Sequence, residues 1–211
     1  MSIVRSPALR RRLTSFYAAR IAEYGPTPLG VDWNSLEAQD ARFVEMLPLF
    51  QGRRDLGVVI DYGSSYGALF DFLRERGFTL EYWGYDFCEE VVDVGRKRLA
   101  YDASVHFTSD YDLLPRADYC LASGLFNAHL ATPPDDWLAF VLESLEEMWR
   151  VSGRGMAFNA LTSYSDPERQ RPDLYYPDPC QLFDYCKRNL SRHVSLLHDY
   201  ELFDFTMIVR R

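Results

Sequence analysis

The ten residues 58–67, V-V-I-D-Y-G-S-S-Y-G, restrict the fold of this chain more than any other stretch. Val58, Val59 and Ile60 are β-branched, Asp61 follows them, Gly63 and Gly67 punctuate what comes next, and residues 68–76 have helical character. A buried strand therefore turns sharply into a helix. At such a turn glycine reaches backbone angles closed to other residues and lets the helix begin close beside the strand, so that strand end and helix N-terminus face one ligand. A plain strand-to-helix turn without a ligand is the alternative.

The three-glycine dinucleotide pattern is not met, because Ser65 stands where a glycine is wanted. The pattern D-x-G-x-x-x-G fits better. It resembles the nucleotide-binding loop of class I S-adenosylmethionine-dependent methyltransferases, written as acid, any residue, glycine, small, glycine, any, glycine. Asp61, Gly63 and Gly67 match, Ser64 supplies the small residue, and Ser65 departs, being small but averse to positive φ. Residues 17–211 are also similar to a group of small bacterial methyltransferases that share a helical N-terminus, the S-G-x-F-N of residues 123–127 and the T-S-Y-S-D-P of residues 162–167.

Short apolar runs alternate with helical spacing along the rest of the chain. Strands are expected at 58–62, 80–85, 104–107, 119–123, 155–161, 193–198 and 203–209, and helices at 9–24, 35–50, 68–76, 88–99, 135–150 and 179–189. This is the pattern of an α/β fold: a doubly wound, mainly parallel seven-stranded sheet with an antiparallel last strand, plus an N-terminal helical extension. The last strand must be antiparallel because only residues 198–202 precede it, too few for a parallel crossover. The resemblance implies the same sheet. Residues 1–52 read as a helical cover and 53–211 as the Rossmann-like domain, together one structural unit. Gly77 suits a helix C-cap, and Thr132 with Asp135 resembles a capping box.

A chain of 211 residues with net charge -8 can bury one substantial core and repels a phosphate backbone, which argues against nucleic acid as a partner. Cys88, Cys120, Cys180 and Cys186 form no C-x-x-C pair and read as reduced packing residues of a cytoplasmic protein. Neither a secretory leader nor a membrane anchor is expected, since no apolar run follows the N-terminal arginines and none approaches about 18 residues. Histidines and carboxylates do not group at metal-ligand spacing, so no catalytic metal is expected. Oligomeric state is not legible.

Asp86 ends Y-W-G-Y-D, 25 residues after Asp61 (86 minus 61), near the spacing at which an acid closing the second strand meets ribose hydroxyls. Its competing role is a cap for the helix at 88–99. Phe87, beside it, belongs to the same expected cofactor surface. The resemblance implies that Asp110 receives an adenine amino group while Tyr111 stacks on the ring; an ordinary Asp turn is the alternative. Ser123 and Gly124 close the fourth strand at the edge where such sheets bind ligands, leaving Asn127 or His129 to face a substrate. The N-P-P-Y signature of many amino-methylating nucleic-acid enzymes is absent, which favours a small-molecule acceptor.

From the cover, Tyr17, Arg20 and Trp33 are expected at the cofactor, with the Arg20 fork on its carboxylate. A solvated arginine is the competing reading. Residues 159–179 form a long tyrosine-rich segment, expected to wall the acceptor with Asn159 and Tyr164. His129, Tyr175 and Tyr176 are the candidate catalytic groups, His198 a further base. The resulting expectation is an S-adenosylmethionine-dependent methyltransferase acting on a small molecule. Its rivals are a catalytically silent cofactor-binding relative or partner subunit and a nicotinamide-dependent oxidoreductase, the latter disfavoured by Ser65 and by the lack of a Tyr-x-x-x-Lys pair.

Overall fold

Val59 and Ile60 are adjacent, both fully buried, and packed into different halves of the core. That alternation is the period of a strand with both faces covered. The computed structural model describes Ile3 and residues 6–211; residues 1, 2, 4 and 5 of the expected cover lie outside the described residues.

Strands β1 (Asp55–Tyr62), β2 (Thr79–Tyr85), β3 (Val105–Thr108), β4 (Ala117–Ser123), β5 (Ser152–Leu161), β6 (His193–Leu197) and β7 (Asp204–Arg210) form one sheet in the order β3-β2-β1-β4-β5-β7-β6. The first five pair in parallel, and β7 runs antiparallel between β5 and β6. The short connection before β7 thus makes the expected hairpin. The order reverses between β1 and β4, the switch point outside which such sheets leave a ligand crevice.

Helices α1 (Pro7–Tyr24), α2 (Leu36–Met46), α3 (Ala68–Glu75), α4 (Glu89–Arg98), α5 (Pro134–Val151) and α6 (Pro179–Asn189) supply the layers. Ile60, Cys120 and Phe158 meet Trp137 and Leu145 of α5, Leu182 of α6 and Leu13 of α1. Val59, Leu121 and Ile208 meet Phe43 and Met46 of α2 and Phe70 and Leu73 of α3.

Two expectations needed correction. The helix expected over 35–50 stops at Met46, and Leu47–Phe50 tightens into a 3-10 turn, because Pro48 has no N–H to continue the ladder and its ring crowds the preceding turn. The Thr132–Asp135 capping box is not formed: α5 begins at Pro134 after Pro133, no side chain caps it, and Thr132 Oγ1 is buried without a partner. Prolines preset the first helical turn and lack donors to be capped. Gly77 does end α3, at φ +78, with its N–H donating to Arg74 O (3.0 Å) and the Phe78 N–H to Leu73 O (3.1 Å), a Schellman closure.

Several long-range bonds join the N-terminal helices to the sheet, among them Arg10 Nη2 to Tyr85 Oη (3.5 Å), Asn159 Nδ2 to Arg42 O (3.4 Å) and one bidentate ion pair. Arg42 of α2 donates from Nε and Nη2 to the two carboxylate oxygens of Asp204 in β7, at 2.8 and 2.6 Å, and from Nη1 to Ala38 O at 2.7 Å. Asp204 is wholly buried. Removing one partner of such a pair strands a charge, at a cost of about 3–5 kcal/mol, whereas an apolar pair of similar volume can be neutral. Arg42→Ala should therefore lower the unfolding free energy by about 3–5 kcal/mol in denaturant titration, and Arg42→Met combined with Asp204→Leu should recover most of it. A loss under about 1 kcal/mol in the single variant would show that the pair is not what holds α2 down.

Candidate active site

The turn after β1 is built from backbone conformations glycine favours. Gly63 and Gly67 both have φ of +85, and the N–H groups of Gly63 and Ser64 donate to Tyr85 O at 2.7 and 2.9 Å. Ser65 adopts the left-handed region as well, at φ +48. The residue that departs from the glycine pattern thus keeps the pattern's backbone and accepts the strain. That conformation lets the Ser65 N–H donate to Asp86 Oδ2 at 3.3 Å, joining the glycine loop to the end of β2.

Two carboxylates sit there. Asp61 is buried and accepts a bond from Tyr82 Oη at 2.6 Å. Burial pushes its carboxyl up to about 7; the Tyr82 bond opposes that shift and the charge of Asp86 adds to it. Asp86 is half-buried, pushed up to about 6 by desolvation against the N–H bonds it accepts from Cys88 (3.0 Å) and Ser65. The Cys88 bond lies just ahead of α4, so Asp86 secures the helix entry and faces the crevice at once.

Two adjoining chambers open at these strand ends. The inner one is lined by Asp61, Gly63, Ser64, Ser65, Asp86 and Phe87, by Ser123 and Gly124 from the end of β4, and by Tyr17, Trp33 and Gln39 from the N-terminal helices and their linker. The outer one, about 440 Å³, is lined by Trp33, Gly124, Asn127, Arg171, Tyr176 and Phe203 among others. The hydroxyls of Ser64 and Ser65 are buried without hydrogen-bond partners.

Other candidate residues lie outside both chambers. Arg20 donates from Nε and Nη2 to Leu29 O (3.1 and 2.6 Å) and pairs with Asp32 at 3.3 Å. Asp110 is exposed and accepts the Asp112 N–H at 3.0 Å, an Asx turn. Tyr111 packs edge-on against Tyr62 and Tyr85 and donates its hydroxyl to Glu147 O. Asn159 is fully buried behind the site, where its Oδ1 accepts from Ser123 Oγ and the Gly124 N–H, at 3.3 and 2.9 Å. It shapes the end of β4.

Toward the outer chamber, Asn127 Oδ1 accepts the Leu161 N–H at 3.1 Å. His129 holds each ring nitrogen 3.0 Å from a backbone carbonyl, that of Thr132 and that of Pro172, and lines neither chamber. Tyr164 is 67% exposed beside His198. Tyr175 packs against the core, and Tyr176 lines the outer chamber with its hydroxyl accepting the Arg171 N–H at 2.9 Å. Tyr82 and Asp204 were not singled out from sequence, since each lies in an ordinary strand and carries no motif. Among the described residues no group of His, Cys, Asp or Glu could hold a metal ion, and no helix is long and apolar enough to cross a membrane.

Sheet order, acid-glycine loop and the acid ending β2 together define the Rossmann-like fold of class I S-adenosylmethionine-dependent methyltransferases. The chain belongs to a methyltransferase family: a Mycobacterium tuberculosis protein named "Putative methyltransferase Rv1506c" is 45% identical over 151 residues, 72% of this chain and 91% of that protein. Solved structures agree in fold. A DhpI complex with S-adenosylhomocysteine aligns over 97% of this chain and 98% of that chain with TM-score 0.63 at 18% identity. The Burkholderia thailandensis 1,6-didemethyltoxoflavin-N1-methyltransferase, with bound 1,6-didemethyltoxoflavin and S-adenosylhomocysteine, aligns over 95% of this chain and 88% of that chain with TM-score 0.61 at 15% identity. No protein-family model matches the chain.

The raised carboxyl of Asp61 makes stability depend on pH. Its proton is held more tightly folded (about 7) than unfolded (3.8), so its contribution to stability falls as pH rises through that window and is constant above it. Asp61→Asn should flatten the fall in melting temperature between pH 4 and about 7; an unchanged pH profile would mean that Asp61 is ionised throughout. Ser65→Gly should be neutral or stabilising by up to about 1 kcal/mol, since relief of strain outweighs or matches the added unfolded-state entropy. A loss larger than that would assign the side chain a holding role.

Proposed function

We propose that this protein transfers a methyl group from S-adenosylmethionine to a small-molecule acceptor, with the cofactor in the inner chamber and the acceptor in the outer one. The observation that carries this reading is the meeting of glycine loop, Asp86 and Gly124 around one chamber that adjoins a second. The residues fit the group: Asp86 keeps lone pairs beyond those used by two N–H groups, and two buried serine hydroxyls beside it have no partner of their own. Tyr17, Trp33, Phe87 and the backbone of Ser123 and Gly124 would complete the enclosure. Residues 1–52 would act as its cover.

When bound, the cofactor supplies a methyl group already activated by its sulfonium. What remains for the protein is to hold acceptor and methyl in line and keep water out. Asn127 and Tyr176 line the chamber suited to orienting an acceptor. His129 would serve as a base only after releasing a carbonyl, and Tyr175, Tyr164 and Asn159 would support that wall from outside it. Arg20 would reach a carboxylate only by leaving Leu29, and Asp110 and Tyr111 would reach an adenine only if the turn after β3 rearranged. The net charge of -8 supports a non-nucleic-acid acceptor and the cysteine pattern a cytoplasmic setting.

Calorimetry should show binding of S-adenosylhomocysteine and none of NAD; the reverse would overturn the proposal. Asp86→Ala should weaken that binding by about 1.5–3 kcal/mol, the range for hydrogen bonds to a charged group, with the fold intact by circular dichroism. Unaltered affinity with earlier melting would leave Asp86 as a helix-entry residue alone. Screening amines, phenols and carboxylates for S-adenosylhomocysteine release would then find the acceptor.

A further inference from the structure

Tyr17, Val31, Trp33 and Gly124 line both chambers. The indole of Trp33 lies so close to Gly124 that a Cβ there would collide with its Cζ2 and Cη2. The guanidinium carbon of Arg42 sits 4.3 Å from the centroid of the Trp33 rings, and Arg42 is itself held by Asp204 and Ala38 O. The ring therefore stands between the end of β4 and a fixed cation, as a wall shared by the two spaces.

The segment that carries the ring is held less firmly. Trp33 donates its N–H to Pro28 O at 2.9 Å, and Asp32 takes a left-handed φ of +63. Besides the Arg42 stack on the ring, its polar ties to neighbouring elements include the Arg20 bonds to Leu29 O (3.1 and 2.6 Å) and ion pairs of Asp32 with Arg20 (3.3 Å) and Arg171 (3.5 Å), the latter two partly solvated and weak for that reason.

The inner chamber has a volume of about 70 Å³, against about 300–1,000 Å³ for pockets that enclose small ligands. A nucleoside needs a wall to move. Most of the other walls are strand ends, the glycine loop and helices packed into the core; Trp33 is on a short linker. In-line transfer also requires direct contact between methyl and acceptor, so an indole that separates the chambers must shift before reaction.

Resting on the function proposed above, we propose that Trp33 is a movable partition. It separates the chambers in the empty protein, swings from Gly124 when the cofactor enters, and then borders the opening through which the methyl group passes. Trp33 is a positioning residue, aligning the two ligands without exchanging protons or electrons with either.

The test uses the full chain labelled with 5-fluorotryptophan, whose four tryptophans give four fluorine resonances. Trp33→Phe assigns that of Trp33, and Trp33→Tyr does so if the first variant fails to fold. Titration with S-adenosylhomocysteine should move the Trp33 resonance with the dissociation constant found by calorimetry. Trp83 and Trp149, which line neither chamber, should not move. Affinity should stay within about threefold in Trp33→Phe and drop about tenfold or more in Trp33→Ala, where the wall is lost. In a stability cycle, Trp33→Ala should restore part of the melting temperature lost in Gly124→Ala, because the collision it relieves is absent. Wild-type binding of S-adenosylhomocysteine with an unmoved Trp33 resonance at saturation would overturn the partition and leave the proposed function standing. No binding at all by the wild type would overturn both.

Discussion

The bidentate bond between Arg42 and Asp204 fixes where the N-terminal helices sit, and the enclosure of the site follows from that. Asp204 begins the strand inserted between β5 and β6, while Arg42 lies on α2, 162 positions earlier in the chain. Both groups are shielded from water, so the pair has little alternative to its mutual geometry. The same guanidinium supports the Trp33 ring. Through that stack, a bond at the edge of the core reaches the boundary between the two chambers.

On the other side of the crevice the organising force is desolvation. Asp61 and Asp86 stand at the ends of neighbouring strands, where burial raises both carboxyls and each has only neutral donors for compensation: Tyr82 for Asp61, and the N–H groups of Ser65 and Cys88 for Asp86. Such an arrangement is unfavourable for ionised carboxylates and leaves acceptor lone pairs on acids that line the inner chamber. The strained Ser65 belongs to the same compromise. Its left-handed backbone is what turns an N–H toward Asp86.

Much of this was legible along the chain. The strand-turn-helix of residues 58–67, the closure of α3 at Gly77 and the hairpin before β7 depend on residues near one another, and propensity and connection length speak for such features. Glycine loop, Asp86, Ser123, Gly124, Tyr17 and Trp33 come together because the topology brings those strand ends and the cover to one place. Where local reading failed, a stronger local constraint usually intervened: Pro48 shortened α2, and Pro133 with Pro134 displaced the expected cap.

The partners of polar side chains were a different matter. Arg20 could as well have reached for an anion as for Leu29 O, and the packing of the linker beside α1 decided it; Asp110 closes its own turn with the N–H two residues on, the local alternative the chain had offered to an adenine contact. The glycine at 124 reads as a strand end, and only folding places an indole against it. Pattern and turn chemistry in the chain were enough for the order of elements, the sheet and the glycine turn after β1, because those follow from backbone preferences repeated every two or four positions. Which charges pair, which ring walls off which cavity and which histidine is already engaged came from tertiary packing, because contacts between residues far apart in sequence have no period to betray them.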